Sequence, residues 1–109
     1  MRILRLTRHE PTKEQCEELV RLFGNGIDVI TVSETITDPR RVAELVETYK
    51  ASVLEVVLPI GLLADVLKVV DVPVIRAVMN REVKENGAVE FTFSHYERIL
   101  KVEVVTERL

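Results

Sequence analysis

The stretch Val53–Asn80, VLEVVLPIGLLADVLKVVDVPVIRAVMN, decides the fold. Val53 to Leu58 is a short apolar run rich in β-branched residues, the pattern of a strand covered on both faces. Pro59, Ile60 and Gly61 interrupt it and lead into a short helix, about Leu62 to Val70. Pro73 then introduces another strand, Val74 to Asn80. Two strands joined through a helix run parallel, and their crossover is right-handed.

Upstream the same alternation occurs twice more. Arg2 to Arg8 alternates apolar and polar residues and predicts the first strand. Cys16, Leu19, Val20 and Phe23 then fall on one face of a helix over Thr12–Phe23. Thr12 with Gln15 forms a capping box, and Gly24 supplies the stop. Val29 to Ser33 predicts the second strand. Asp38 as N-cap and Pro39 in the first turn open a second helix, whose stripe is Val42, Leu45, Val46 and Tyr49.

Downstream the pattern changes. Asn86-Gly87 is a hairpin signal. Two further alternating segments follow, Val89–Tyr96 and Ile99–Thr106, with no helix between them. The fold class expected is therefore α/β: a three-layer, Rossmann-like, mostly parallel sheet of flavodoxin-like order 2-1-3-4, with a C-terminal antiparallel hairpin extension. One domain spans residues 1–109, with a β-α-β-α-β-α-β core over 1–80 and antiparallel strands over 81–109. The register of the hairpin is left open, because several loop lengths pair its apolar residues equally well.

Aligning the strands by their ends places Arg5, Glu55 and Arg76 side by side on one face. Leu4, Leu6, Leu54, Val56, Leu58, Ile75, Ala77 and Met79 then form the opposite, apolar face. Crossover handedness sets the first helix on the charged face and the other two on the apolar one. That leaves the charged face, with Ile3, Val53, Val57, Val74 and Val78 around it, half open. The expected partner is a second copy of the chain packed there, a homo-oligomer held through the Arg5, Glu55 and Arg76 face.

The 109 residues are 47% apolar and 30% charged, which excludes disorder and offers no apolar run long enough to span a bilayer. A net charge of −3 argues against nucleic-acid binding by phosphate neutralisation. Phe91, Phe93 and Tyr96 are set among Glu90, Glu97 and Glu103, so they read as packing residues rather than base-stacking ones. Cys16 is the single cysteine and makes neither an internal disulfide nor a thiol metal site. Met1-Arg2 leads straight into a strand without a signal-peptide pattern, so a cytoplasmic location is expected. The abundance of Glu, Lys and Arg with no Trp fits a thermophile.

In such sheets ligands bind beyond the C-terminal strand ends, where the strand order reverses. Here that point lies between the first and third strands. Arg8, His9, Thr12, Gly61, Asn80 and Arg81 are the expected ligand-binding residues, and a small anion or nucleotide is the expected occupant. His9, Glu10 and Glu34 are the candidates for proton transfer or nucleophilic work. No metal pattern occurs, and the sequence specifies no cofactor. Gly24-Asn25-Gly26 follows a helix and precedes a strand, the wrong order for a dinucleotide loop. Leu58-Pro59 stands where a receiver domain needs its phosphoacceptor aspartate.

Leu6-Thr7-Arg8-His9-Glu10-Pro11-Thr12 is similar to the strand-end Arg-His-Gly motif of histidine phosphatases, and Ser94-His95 loosely resembles that family's second histidine. The resemblance implies that His9 accepts a phosphoryl group and Arg8 holds it. It covers only those segments, and Glu10 stands where the family has glycine. The residues themselves lead to a non-catalytic, homo-oligomeric binding or interaction module, with a small phosphoryl-transfer or hydrolytic enzyme using His9 and Arg8 as the alternative. A purely structural subunit, whose interface is its only function, is a further reading.

Overall fold

The computed structural model describes residues 1–103 and 105–109. Its elements, in chain order, are β1 (Arg2–Leu6), α1 (Lys13–Phe23), β2 (Asp28–Val32), α2 (Pro39–Thr48), β3 (Val53–Val56), α3 (Ile60–Val69), β4 (Val74–Val83) and β5 (Val89–Arg98). They form one five-stranded sheet of order β2-β1-β3-β4-β5. The first four strands are parallel, and β5 is antiparallel to β4. Among the described residues no helix is long and apolar enough to cross a membrane.

The helix boundaries follow from side chains that satisfy free backbone groups. At α1 the Thr12 hydroxyl accepts from the Gln15 amide at 3.2 Å, and the Gln15 side chain accepts from the Thr12 amide at 3.0 Å. Gly24 ends the helix at φ 94°, a left-handed value that a side chain disfavours. At α2 Asp38 accepts from the Arg40 amide at 2.9 Å, with Pro39 in the first turn.

Two apolar clusters flank the sheet, as crossover handedness requires. Val42 and Leu45 of α2 and Leu63 and Val66 of α3 pack on Leu4, Leu6, Leu54, Val56 and Val74. Leu19 of α1, with Phe23 beside it, packs on Ile3, Val53 and Ile75. The α1 stripe is turned from the expected one: Gln15 and Leu19 are its buried residues, while Cys16 and Val20 are exposed.

The polar row is corrected in two respects. Arg5 and Glu55 are paired in register, as expected, but Glu55 lies opposite Ile75 rather than Arg76. That shift of one residue turns every β4 side chain over. Ile75 joins the α1 cluster, Val74 joins the other, and Arg76 pairs with Glu97 at 3.1 Å on the α3 side. The expected half-open face at Arg5 and Glu55 is also closed. Under α1 both side chains are only 3% exposed, and Ile3 and Val53 are buried beside them. The surface proposed for a second copy at Arg5, Glu55 and Arg76 therefore does not exist as one face.

The C-terminal third forms one strand where two were expected. Val89–Tyr96 lies within β5, but the described residues of Ile99–Thr106 form no strand, and Val104 lies outside the described residues. Ile99 instead donates its amide to the Val74 carbonyl at 2.8 Å, and Ile99 and Val102 pack against the α2/α3 cluster. Beyond that bond the chain lies against the α2/α3 cluster through Val102, and Leu100 is exposed.

β4 also runs on to Val83, beyond the expected end at Asn80. Its pairing with β3 stops at Ile75, so the remainder is held by β5 alone and stands past the C-terminal edge of the sheet. The turn closes with the Gly87 amide on the Lys84 carbonyl at 2.9 Å, Gly87 taking φ 82°. The radius of gyration is 15.5 Å, against about 13 Å for a compact chain of this length.

Candidate functional site

The strand order reverses between β1 and β3, and an open cleft of about 290 Å³ lies at the adjoining strand ends. The β1–α1 loop contributes Thr7, Arg8 and His9, and the segment after β2 contributes Glu34, Thr35 and Ile36. Val57, Leu58 and Pro59 after β3 complete the wall, with Leu6 at the end of β1. Leu6 belongs to the α2/α3 cluster and Ile36 and Leu58 pack against it, while Arg8 and His9 are exposed, so the cleft combines an apolar floor with a polar rim.

The loop that carries Arg8 and His9 is held from inside the protein. The Arg5 guanidinium donates to both Glu55 carboxylate oxygens at 3.1 and 3.2 Å. It also donates to the His9 carbonyl at 2.9 Å and reaches Thr31 Oγ1 at 3.3 Å and Gln15 Oε1 at 3.5 Å. Gln15 in turn caps α1, so one buried cation ties β1, β2, β3, the first turn of α1 and the loop together. The Tyr96 hydroxyl is buried beside this pair without a hydrogen-bond partner among the described residues. Burial, and then the adjacent Glu55 carboxylate, push its phenol well above the ordinary value of 10.0.

Glu34 is engaged by a residue that the sequence reading missed. Arg41 of α2 donates to both of its carboxylate oxygens, at 2.8 and 2.9 Å. The guanidinium holds the Glu34 carboxyl below its usual 4.5, so it stays ionised near neutrality and is poorly suited to deliver a proton. Among the described residues the Arg8 and His9 side chains have no ion-pair partner, in contrast with Arg5 and Glu34.

The remaining expected residues are dispersed. Thr12 is absorbed in the capping box, and Glu10 is exposed on the loop outside the cleft wall. Gly61 lies in the first turn of α3, after Pro59, which caps that helix with no side-chain hydrogen bond. A Cβ at Gly61 would meet nothing within 4 Å, so its backbone faces open space. Asn80 and Arg81 are carried into the arm, opposite Thr92 and Phe91, and do not line the cleft. His95 is on the edge strand, bonded to Ser94 at 2.8 Å and near Glu97 at 3.5 Å, so it is not a second histidine in the cleft.

No signal in the local sequence would have found Arg41. It follows Glu34 by seven positions across the turn into α2, a spacing that no helical or strand rule selects.

No family model, no curated protein and no solved structure matches this chain.

Proposed function

We propose that the chain is a binding module whose cleft at the β1/β3 edge takes a small ligand with an anionic end and an apolar face, such as a nucleotide with its base. The observation that carries this reading is the pairing of Arg8 and His9 on a loop clamped by Arg5, above an apolar floor of Leu6, Ile36 and Leu58. A preorganised loop spends little ordering entropy on binding, and a cation over an apolar wall selects an amphipathic anion. The uncapped first turn of α3 adds backbone amides of favourable polarity at the same edge.

The reading is non-catalytic because of Glu34. Glu34, the carboxylate that lines the cleft together with His9, is occupied by Arg41 and held in its ionised form.

The test is thermal unfolding with inorganic phosphate, AMP or ribose 5-phosphate, for the native chain and for Arg8→Ala/His9→Ala. A probe at a hundred times its Kd adds about 2.7 kcal/mol, a rise on the order of 10 °C for a domain of this size. The expected result is such a rise with AMP, larger than with inorganic phosphate or ribose 5-phosphate, and lost in the double variant. No rise with any probe, or a rise that the double variant keeps, would overturn the site. Phosphate-monoester hydrolysis lost in His9→Ala would overturn the non-catalytic part.

A further inference from the structure

The β4–β5 arm has two unlike faces. Pairing in register puts Met79 with Phe93, Arg81 with Phe91 and Val83 with Val89 on the side that bears Ile75 and α1. The other side carries Asn80 with Thr92 and Glu82 with Glu90, and Lys84 bridges to Glu82 at 3.5 Å and Glu90 at 2.8 Å. Between Val78 and Met79 the register shifts, leaving Ser94 as the extra residue. That bulge brings Tyr96 onto the side of Phe93, with ring centroids 5.2 Å apart. The arm is thus an amphipathic ribbon whose aromatic residues are collected on one face.

Past Ile75 the ribbon is two strands wide and rises roughly 25 Å. A two-stranded hairpin is marginal in water unless one face is buried. Here Phe91 is 63% exposed, Val83 67%, Val89 43% and Met79 42%. Together they leave roughly 400 Å² uncovered, a patch of the size that is often functional on a single chain.

We infer that this face packs on the same face of a second copy about a two-fold axis, forming a four-stranded, face-to-face sandwich from two arms. Area favours that occupant. Two such faces bring together roughly 800 Å² of apolar surface, which at an apolar share near 60% corresponds to about 1,300 Å² in all, within the range of specific dimers. Such ribbon faces can also pack on one another, since sheets stack in alignment face to face. Arg81 is the one formal charge on the outer part of the face. Arginine is the charged residue that interfaces accept most readily, because its guanidinium stacks on aromatic rings. The inference is independent of the cleft.

Light scattering across micromolar concentrations tests it on the full chain. The native protein is expected at twice the chain mass and Phe91→Glu at the single-chain mass. Thr92→Glu, on the opposite face, is expected to stay at twice the mass. Val83→Lys, nearer the tip, replaces Phe91→Glu should circular dichroism show that variant unfolded. A native protein of single-chain mass at every concentration overturns the proposal, as does a Phe91→Glu or Val83→Lys variant that stays dimeric. Equal dissociation by Thr92→Glu would transfer the contact to the free edge of β5 and overturn it too.

Discussion

Arg5 on β1 holds the main-chain carbonyl of His9 at 2.9 Å while both oxygens of Glu55 neutralise its charge from the neighbouring strand. Neither contact involves the side chains that line the cleft, yet both determine where those side chains stand. A charge this deeply buried is tolerable only because its donors are used and its counter-ion is adjacent.

Removing one member of the pair is expected to be costly. Glu55→Leu should lower the unfolding free energy by about 3–5 kcal/mol, since it leaves the guanidinium buried without a counter-ion. The double variant Arg5→Met/Glu55→Leu should regain most of that loss, because an apolar pair needs no hydrogen bonds there. Urea unfolding at constant slope reads both changes. A loss in the double variant as large as in Glu55→Leu would show that the ion pair itself is the stabilising element.

Tyr96→Phe should stabilise the fold by about 1 kcal/mol, because it removes a buried hydroxyl that has no partner. The effect should depend on pH. With the folded phenol held above its ordinary 10.0, the folded chain keeps a proton that the unfolded chain releases. Tyr96 therefore favours folding least at high pH, and its disadvantage grows as pH rises through and above 10.0. Chemical unfolding of both proteins at pH 7 and pH 11 checks this: the stability gap between them should widen at the higher value.

Arg41→Ala should return the Glu34 carboxyl to about its ordinary 4.5, the midpoint rising because the hydrogen-bonding cation is gone. A lowered folded value means that the pair's contribution is present above the ordinary value and fades as pH falls. Carbon-detected titration of the Glu34 carboxyl gives the midpoint directly. An unchanged midpoint would mean that the pair does not persist in solution.

The parallel core was legible because each of its determinants is local. Thr12 with Gln15, Asp38 with Pro39, and the three strand-helix alternations all act over a few residues. Strand order was taken from flavodoxin-like sheets, and the helix faces then followed from handedness. Arg5 opposite Glu55 came from counting back from strand ends, and the same count failed for Arg76. β4 does not stop at the sheet's edge, so its end is no reference for register, and an error of one residue reverses a face. The same extension carried Asn80 and Arg81 away from the cleft. Arg8, His9 and Glu34 were placed by the strand-end rule, whereas Arg41 depends on how a loop folds back. Ile99 and Val102 show the remaining gap: alternation says which residues are apolar in turn, not whether a strand or a helix layer receives them.

The hairpin has a consequence for the order of folding. Val83 and Val89 meet across a turn of a few residues, whereas Arg5 and Glu55 meet only after fifty residues of chain have been gathered. Pairing of the first kind zips on the microsecond scale, while parallel strands wait for long loops to close. The arm's pairing is therefore local and quick to form, whereas Ile75, at its foot, joins the arm to β3 through a pairing that waits for longer loops to close.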